Sequence, residues 1–207
     1  MKENSCFACA KPLAQLCQAV GTAMPSLWHK RANTVAQAWH SINEFKTPSY
    51  MEKEYAIGID LGGTSVKYAL IDNNGVFHFQ GKLPSNADVS AEAVIGQLVK
   101  AVKEVKNFAE AKEYTIAGIG IGTPGIVDCT NRIVLGGAEN VQGWENLKLA
   151  DRMEKETGLP TQLGNDANLM GLGETMYGAG NGATHVVFLT VGTGIGGAVI
   201  IDGKLFN

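Results

Sequence analysis

The chain has 207 residues, of which 45% are hydrophobic and 18% charged, a composition that excludes global disorder and leaves room for one full domain and part of a second. A formal net charge of −3 argues against a general binder of nucleic acid or of anionic membranes. No run approaches the ~20 apolar residues of a membrane helix, and Glu3 and Asn4 interrupt any secretory signal, so a cytoplasmic location is expected. Four cysteines (Cys6, Cys9, Cys17, Cys129) are too few and too unevenly placed for a disulfide scaffold.

Two unlike pieces meet near residue 50. Residues 1–50 carry Lys2, Lys11, Lys30, Arg31 and Lys46 against Glu3 and Glu44, whereas the remainder is net acidic. The first piece holds three of the four cysteines and only one of the 26 glycines. Leu13, Leu16, Cys17 and Val20 keep helical spacing, as do Trp28, Val35, Trp39 and Ile42, which predicts two short amphipathic helices. Cys6-x-x-Cys9 with Cys17 and His29 lacks the second ligand pair of a zinc finger. Met51 then opens what reads as a fresh protein start. Residues 1–50 are therefore expected to be an upstream extension that the rest of the fold does not need.

Beyond it, Tyr55–Asp60, Val66–Ile71 and Val76–Gln80 are β-rich runs. Leu61-Gly62-Gly63-Thr64 joins the first two, and Asp72-Asn73-Asn74-Gly75 the second two; Asn-Gly tolerates positive φ at both positions. An antiparallel three-strand meander is predicted. Ala91, Ile95, Leu98, Val102, Val105 and Ala109 step by four and three, painting one stripe of a helix. A strand over Thr115–Ile121, a Gly/Pro loop and a polar connector through Trp144 follow. Leu147–Thr157 reads as a helix stopped by Gly158 and Pro160, and Asn165–Tyr177 as another. His185–Val191 and Ala198–Ile201 read as strands flanking a glycine-rich turn. This order predicts a mixed-sheet α/β domain over 51–182 and the first hairpin of a second domain over 183–207.

Strand-ending loops carry the candidate chemistry. In Asp60-Leu61-Gly62-Gly63-Thr64-Ser65-Val66-Lys67, two glycines let backbone N–H groups approach an anion, Thr64 adds a hydroxyl, Asp60 can hold a metal through water, and Lys67 adds a cation. The same string also suits a hairpin turn with an acidic cap. Gly120–Gly125 and Gly192–Gly197 each contain G-x-G-x-x-G, but Ile126-Val127-Asp128 and Ala198-Val199-Ile200-Ile201 follow them. Neither continuation is helical, which disfavours a dinucleotide-binding fold; no P-loop string occurs either. The third loop suits a β-hairpin that cradles phosphate, or a tight turn. Asn165-Asp166-Ala167-Asn168 suits an N-cap box. By spacing alone the cap is the better reading; the functional one is a carboxylate base beside the positive end of a helix, whose dipole is expected to keep Asp166 ionised. Glu139-Asn140-Val141-Gln142-Gly143-Trp144 offers amides and an aromatic ring suited to a sugar rim, or else a loop around a buried Trp.

Together and in this order, these strings resemble the ROK family (repressor, open reading frame, kinase) of the hexokinase/actin-like superfamily, and most closely its bacterial glucokinase-type members. DLGGTSVK at 60–67 is similar to the family's first phosphate loop and GTPG at 122–125 to its second turn. AEN…GW at 138–144 is similar to its sugar loop, NDAN at 165–168 to its catalytic segment, and TVGTGIGG at 190–197 to its second phosphate loop. The resemblance covers about residues 55–207 and implies an actin/hexokinase-like (ribonuclease H-like) α/β fold with a truncated second domain.

It further implies an ATP- and Mg²⁺-dependent kinase acting on a hexose or amino-sugar hydroxyl, glucokinase-like at the 6-hydroxyl. Carried over, Asp166 is the general base; Asn140, Asn165, Glu139 and Gly122 bind sugar. Asp60, Gly62, Gly63, Thr64, Lys67, Thr193 and Gly194 serve the phosphates, with Asp60 reaching Mg²⁺ through water. Family members run on past Asn207 with a Glu-x-Gly-His sugar motif and often a zinc motif, so the chain is expected to be a fragment with little or no kinase activity. ROK relatives commonly form dimers or tetramers, which carries over as an expected homo-oligomer. The competing expectations are a sugar-responsive transcriptional repressor of the same family, with 1–50 in the place of a DNA-binding module, and an inactive product.

Overall fold

The computed structural model describes residues 55–206 apart from 73–74, 131, 139–140, 181 and 192–194. The two helices expected within 1–50 lie outside the described residues.

The predicted meander forms. β1 (Tyr55–Leu61) pairs antiparallel with β2 (Ser65–Asp72), and β2 antiparallel with β3 (Phe77–Pro84). α1 (Ala91–Ala111) buries Ile95, Leu98, Val102, Val105 and Ala109 of the predicted stripe. Its N-cap is Ser90, whose hydroxyl accepts from the Ala93 N–H at 3.1 Å, satisfying one of the four N–H groups that every helix start leaves unpaired. β4 (Ile116–Thr123) then runs parallel to β1.

β5 (Ile126–Asp128) and β6 (Ile133–Gly136) make a small separate hairpin in the stretch the sequence shows only as a connector. α2 (Leu149–Thr157) begins two residues later than its pattern predicts and ends at Gly158, with φ 73° in the left-handed region that glycine enters without strain. β7 (Thr161–Asn165) follows, parallel to β4, and α3 (Asp166–Tyr177) leaves directly from its end. The main sheet has the order β3-β2-β1-β4-β7, three antiparallel strands continued by two parallel ones.

Alternation sorts the two faces of this sheet. Tyr55, Ile57, Ile59 and Leu61 of β1, Val66, Tyr68 and Leu70 of β2, Ile119 and Ile121 of β4 and Leu163 of β7 belong to one buried cluster with α1 and α2. Apart from Asp60 and Lys67 near one end, most residues of the opposite face are small: Gly58 on β1, Ala69 on β2, Gly118, Gly120 and Gly122 on β4, Gly164 on β7. This small-residue face lets α3 lie close. A Cβ on Gly164 would stand 2.8 Å from Leu169 Cδ1.

β8 (Val186–Val191), β9 (Ile195–Ile201) and β10 (Lys204–Leu205) form a second, antiparallel sheet in the order β10-β9-β8. Its inner face packs on α3, where a Cβ on Gly171 would sit 2.5 Å from Ala198 Cβ. Its outer face bears Val187, Leu189, Val191, Ile195 and Val199, with Leu189 69% and Ile195 82% exposed.

Candidate active site

The site is built at one end of the main sheet. Strand register places Lys67 opposite Asp60, Asp60 opposite Gly122, and Gly122 opposite Gly164, one row crossing β2, β1, β4 and β7. Directly paired residues point to the same face, so the Asp60 and Lys67 side chains stand on the small-residue face. Lys67 Nζ lies 3.8 Å from Asp60 Oδ2. The next row pairs Thr123 with Asn165, and Asp166 begins α3 immediately after. The carboxyl ends of the parallel strands β1, β4 and β7 therefore deliver Asp60, the 122–125 turn and Asp166 to one place, where open α/β sheets bind ligands.

Helix capping is divided between neighbours. Asn165, in extended conformation at ψ 138°, is the N-cap, and its Oδ1 accepts from the Asn168 N–H at 3.0 Å. Its Nδ2 donates to the Gly125 carbonyl at 2.8 Å, tying the GTPG turn to the helix start. Gly125 itself has φ 95°, and a Cβ there would meet the Gly136 carbonyl at 2.4 Å. Asp166 is thus spared the capping role. Its Oδ1 accepts from the next residue's N–H, Ala167, at 2.8 Å.

Two opposing influences act on the Asp166 carboxyl. Burial pushes the Asp166 carboxyl above the ordinary range, and the N–H bonds at the helix start and the Asn165 amide oppose this without reversing it. Helix-end donors alone would have lowered it. Asp60 is also raised, chiefly by burial, with the Lys67 ammonium opposing and the charge of Asp166 adding. Asp60 and Asp166 therefore feel one another across the site.

A divalent cation fits this pair. Two carboxylates in mutual electrostatic reach are hard oxygen donors carrying more negative charge than Lys67 offsets. Among the described residues no cluster of three His, Cys, Asp or Glu side chains could hold a metal by itself. Mg²⁺ is commonly held by one or two carboxylates together with phosphate oxygens and water, and Asp60 and Asp166 are the residues here that could supply them.

The first loop is a tight turn in which the Gly62 N–H donates to the Ser65 carbonyl at 2.9 Å, while Gly63 and Thr64 stand exposed. Ser85, just past β3 and buried, braces it: its N–H donates to the Thr64 carbonyl at 3.2 Å and its Oγ to the Gly63 carbonyl at 2.8 Å. The third loop closes between Val191 and Ile195, and its Thr193 and Gly194 lie outside the described residues. Its base lies against α3, because a Cβ on Gly196 would stand 2.8 Å from Ala167 Cβ, one residue from Asp166. The backbone after each G-x-G-x-x-G string is strand, in line with the reading that neither continuation is helical.

Glu139 and Asn140 also lie outside the described residues. Trp144, offered as a ring for a sugar rim, is only 1% exposed and instead donates through Nε1 to the buried Thr123 Oγ1 at 3.0 Å. The loop around a buried Trp is the correct reading, and the indole props the GTPG turn from beneath. Sequence reasoning missed Ser85 and Gly164, and gave Thr123 no role beyond its place in the GTPG string. Gly164 carries a signal, a small residue directly before the NDAN string.

Comparison with known proteins agrees with this geometry. The ROK family model matches residues 56–207. The glucokinase of Thermotoga maritima is 39% identical over 157 residues, which are 76% of this chain and 48% of that protein. The crystal structure of a ROK family glucokinase from Streptomyces griseus, in complex with glucose and AMPPNP, aligns with a TM-score of 0.64 at 34% identity, over 73% of this chain and 46% of that one. A xylose repressor of Caldicellulosiruptor bescii is 32% identical over 151 residues, 73% of this chain and 37% of that protein. The chain spans about half the length of the curated glucokinases it matches. Its sheet order, its loops and the span of the family match make this chain a member of the ROK family.

Proposed function

We propose that this chain forms the base-bearing and phosphate-binding part of an ATP-dependent sugar kinase, which moves the γ-phosphate of ATP to a hexose hydroxyl, the 6-hydroxyl in a glucokinase-like case. The observation that carries the reading is the register row Lys67–Asp60–Gly122–Gly164, which ends two residues before Asp166. It sets a cation and a glycine turn for phosphate beside a carboxylate for an alcohol.

Asp166 accepts the hydroxyl proton as the oxygen attacks the γ-phosphorus. A carboxyl raised by burial suits that task, since a base works best with its proton affinity near the operating pH. Asn165 and Asn140, with Glu139 and Gly122, hold sugar hydroxyls. Asn165 keeps acceptor capacity for this, since its Oδ1 has one further position beyond the bond from the Asn168 N–H, while its Nδ2 serves the Gly125 carbonyl and the Asp166 carboxylate. Gly62, Gly63, Thr64 and Lys67 face the phosphates from one hairpin, and Thr193 and Gly194 from the other. Asp60 would hold Mg²⁺ through water, and the ion would supply charge neutralisation for the phosphates.

The domain division, with an ATPase domain over 51–182 and a second domain opening at 183, is part of this reading. The absence of ladder pairing between the two larger sheets among the described strands supports it. A cytoplasmic homo-oligomer completes it. Among the described residues no helix is long and apolar enough to cross a membrane.

The test is ADP release by the gene product carrying this sequence, with glucose, N-acetylglucosamine, N-acetylmannosamine, fructose and allose as acceptors. Sugar-dependent ADP release with one of them supports the reading; none with any of them overturns it. The likeness to a xylose repressor favours a second reading, a sugar-responsive regulator. A salt-dependent shift of promoter DNA that needs residues 1–50 would establish that one.

A further inference from the structure

We propose that Ser85 is a positioning residue for phosphate, holding the first glycine turn so that its amides face the ligand; this rests on the kinase reading of the site. Ser85 follows the last residue of β3, is 1% exposed, and touches no other candidate site group in the contacts described. It makes two bonds to consecutive peptides of the turn, from Oγ to the Gly63 carbonyl and from N–H to the Thr64 carbonyl.

The consequence follows from peptide geometry. A trans peptide carries its C=O and the next residue's N–H on opposite sides of the plane, and no cis peptide occurs among the described residues. With the Gly63 carbonyl held by Ser85, the Thr64 N–H must point away from β3. With the Thr64 carbonyl held as well, the Ser65 N–H points away from β3 too. The strand order β3-β2-β1 puts Asp60 on that far side. Two successive N–H groups turned the same way form a concave anion seat. Gly62 and Gly63 make the turn flexible enough to bind an anion closely, and that flexibility is what Ser85 removes.

The side chain and the backbone of Ser85 contribute separately. Removing the hydroxyl frees the Gly63 carbonyl alone, so the Thr64 N–H loses its orientation while the Ser65 N–H keeps it. A buried Ser at this place is replaceable in packing by Ala, which lacks only the hydroxyl.

The experiment uses the full chain as wild type, Ser85→Ala and Ser85→Thr. Amide hydrogen exchange is read at 62–65 and at 167–170, and inorganic tripolyphosphate is titrated into each. Losing one hydrogen bond is expected to speed exchange at 62–65 in Ser85→Ala by roughly fivefold to tenfold and weaken tripolyphosphate by a similar factor. Exchange at 167–170 stays as in wild type, and Ser85→Thr, which keeps the hydroxyl, retains both wild-type values. Equal exchange at 62–65 in Ser85→Ala overturns the proposal, as does acceleration spread evenly over 167–170 or a Ser85→Thr variant that behaves like Ser85→Ala. A wild-type chain that binds no tripolyphosphate overturns the phosphate-site reading itself, and the exchange pattern then still decides whether Ser85 holds the turn.

Discussion

Adding one methyl group at Gly171 sets helix propensity against packing, and the structure fixes which wins. Gly171 sits inside α3, where Ala in its place should gain about 1 kcal/mol from the backbone alone. The new Cβ would lie 2.5 Å from Ala198 Cβ and 3.1 Å from Phe188 Cβ. Carbon atoms pack at about 3.5–4.0 Å, so helix and sheet must separate by roughly 1 Å. The first obstacle is a short side chain on a paired strand, which cannot swing aside. Overpacking of this kind costs about 1–3 kcal/mol, so Gly171→Ala should destabilise the fold by about 1 kcal/mol after the propensity gain. Gly96 is the control. It lies on the exposed side of α1 with nothing within 4 Å of a Cβ, so Gly96→Ala should stabilise by about 1 kcal/mol. Urea unfolding of the three proteins, with a common slope, should move the midpoints in opposite directions. A Gly171→Ala midpoint raised like that of Gly96→Ala would refute the close seating of α3 on the second sheet.

Trp144→Phe removes the Nε1 donor from the buried Thr123 hydroxyl and leaves a gap under the GTPG turn; urea unfolding should show a loss of about 1–3 kcal/mol, and an unchanged midpoint would contradict the contact. Asp60→Asn should stabilise the chain near neutral pH in magnesium-free buffer. The folded-state carboxyl is raised above its ordinary 3.8, so the folded form holds its proton longer than the unfolded one. Stability is then lost as pH climbs from about that value through the raised one, and it is lost only in the wild type. The gap between the two proteins should accordingly close below the ordinary carboxylate range; a gap that widens there would reverse the sign assigned to burial. Ser90→Ala should lower the midpoint by about 1 kcal/mol through the lost cap of α1, with no effect on tripolyphosphate binding.

The sequence shows those elements whose signal is local. The meander needs only two turns and three β-rich runs, and α1 needs only its stripe. β7 escapes because Thr161–Asn165 has a single large apolar residue, Leu163. It is a strand because Gly164 and Gly122 pair in register, and because Gly164 leaves space for Leu169 of α3. Neither condition is visible before the chain is folded. The β5–β6 hairpin is hidden for a related reason. Its strands are three and four residues long and are joined to the body by Arg132, which bonds Asp151 and Glu154 of α2.

The candidate site divides in the same way. Asp60 and Lys67 are legible as members of a glycine-rich string at a strand end and Asp166 as part of an Asn-Asp string at a helix start, and strand register then brings them together. What supports them is not legible. Ser85 acts from the end of another strand, 22 residues along the chain from Gly63. Thr123 and Trp144 form one buried hydrogen bond, which turns an aromatic that looks like a sugar contact into a prop. The direction of the Asp166 shift also depends on burial, which the helix-start pattern does not report.

The central claim is that one carboxylate at the start of α3 takes the proton of a sugar hydroxyl. Its most direct test compares sugar-phosphate formation by the gene product carrying this sequence with that of its Asp166→Asn variant, alongside ATP affinity for both. The account predicts a rate lower by about 10²–10⁴-fold in the variant, with nucleotide affinity held. An undiminished rate would contradict it.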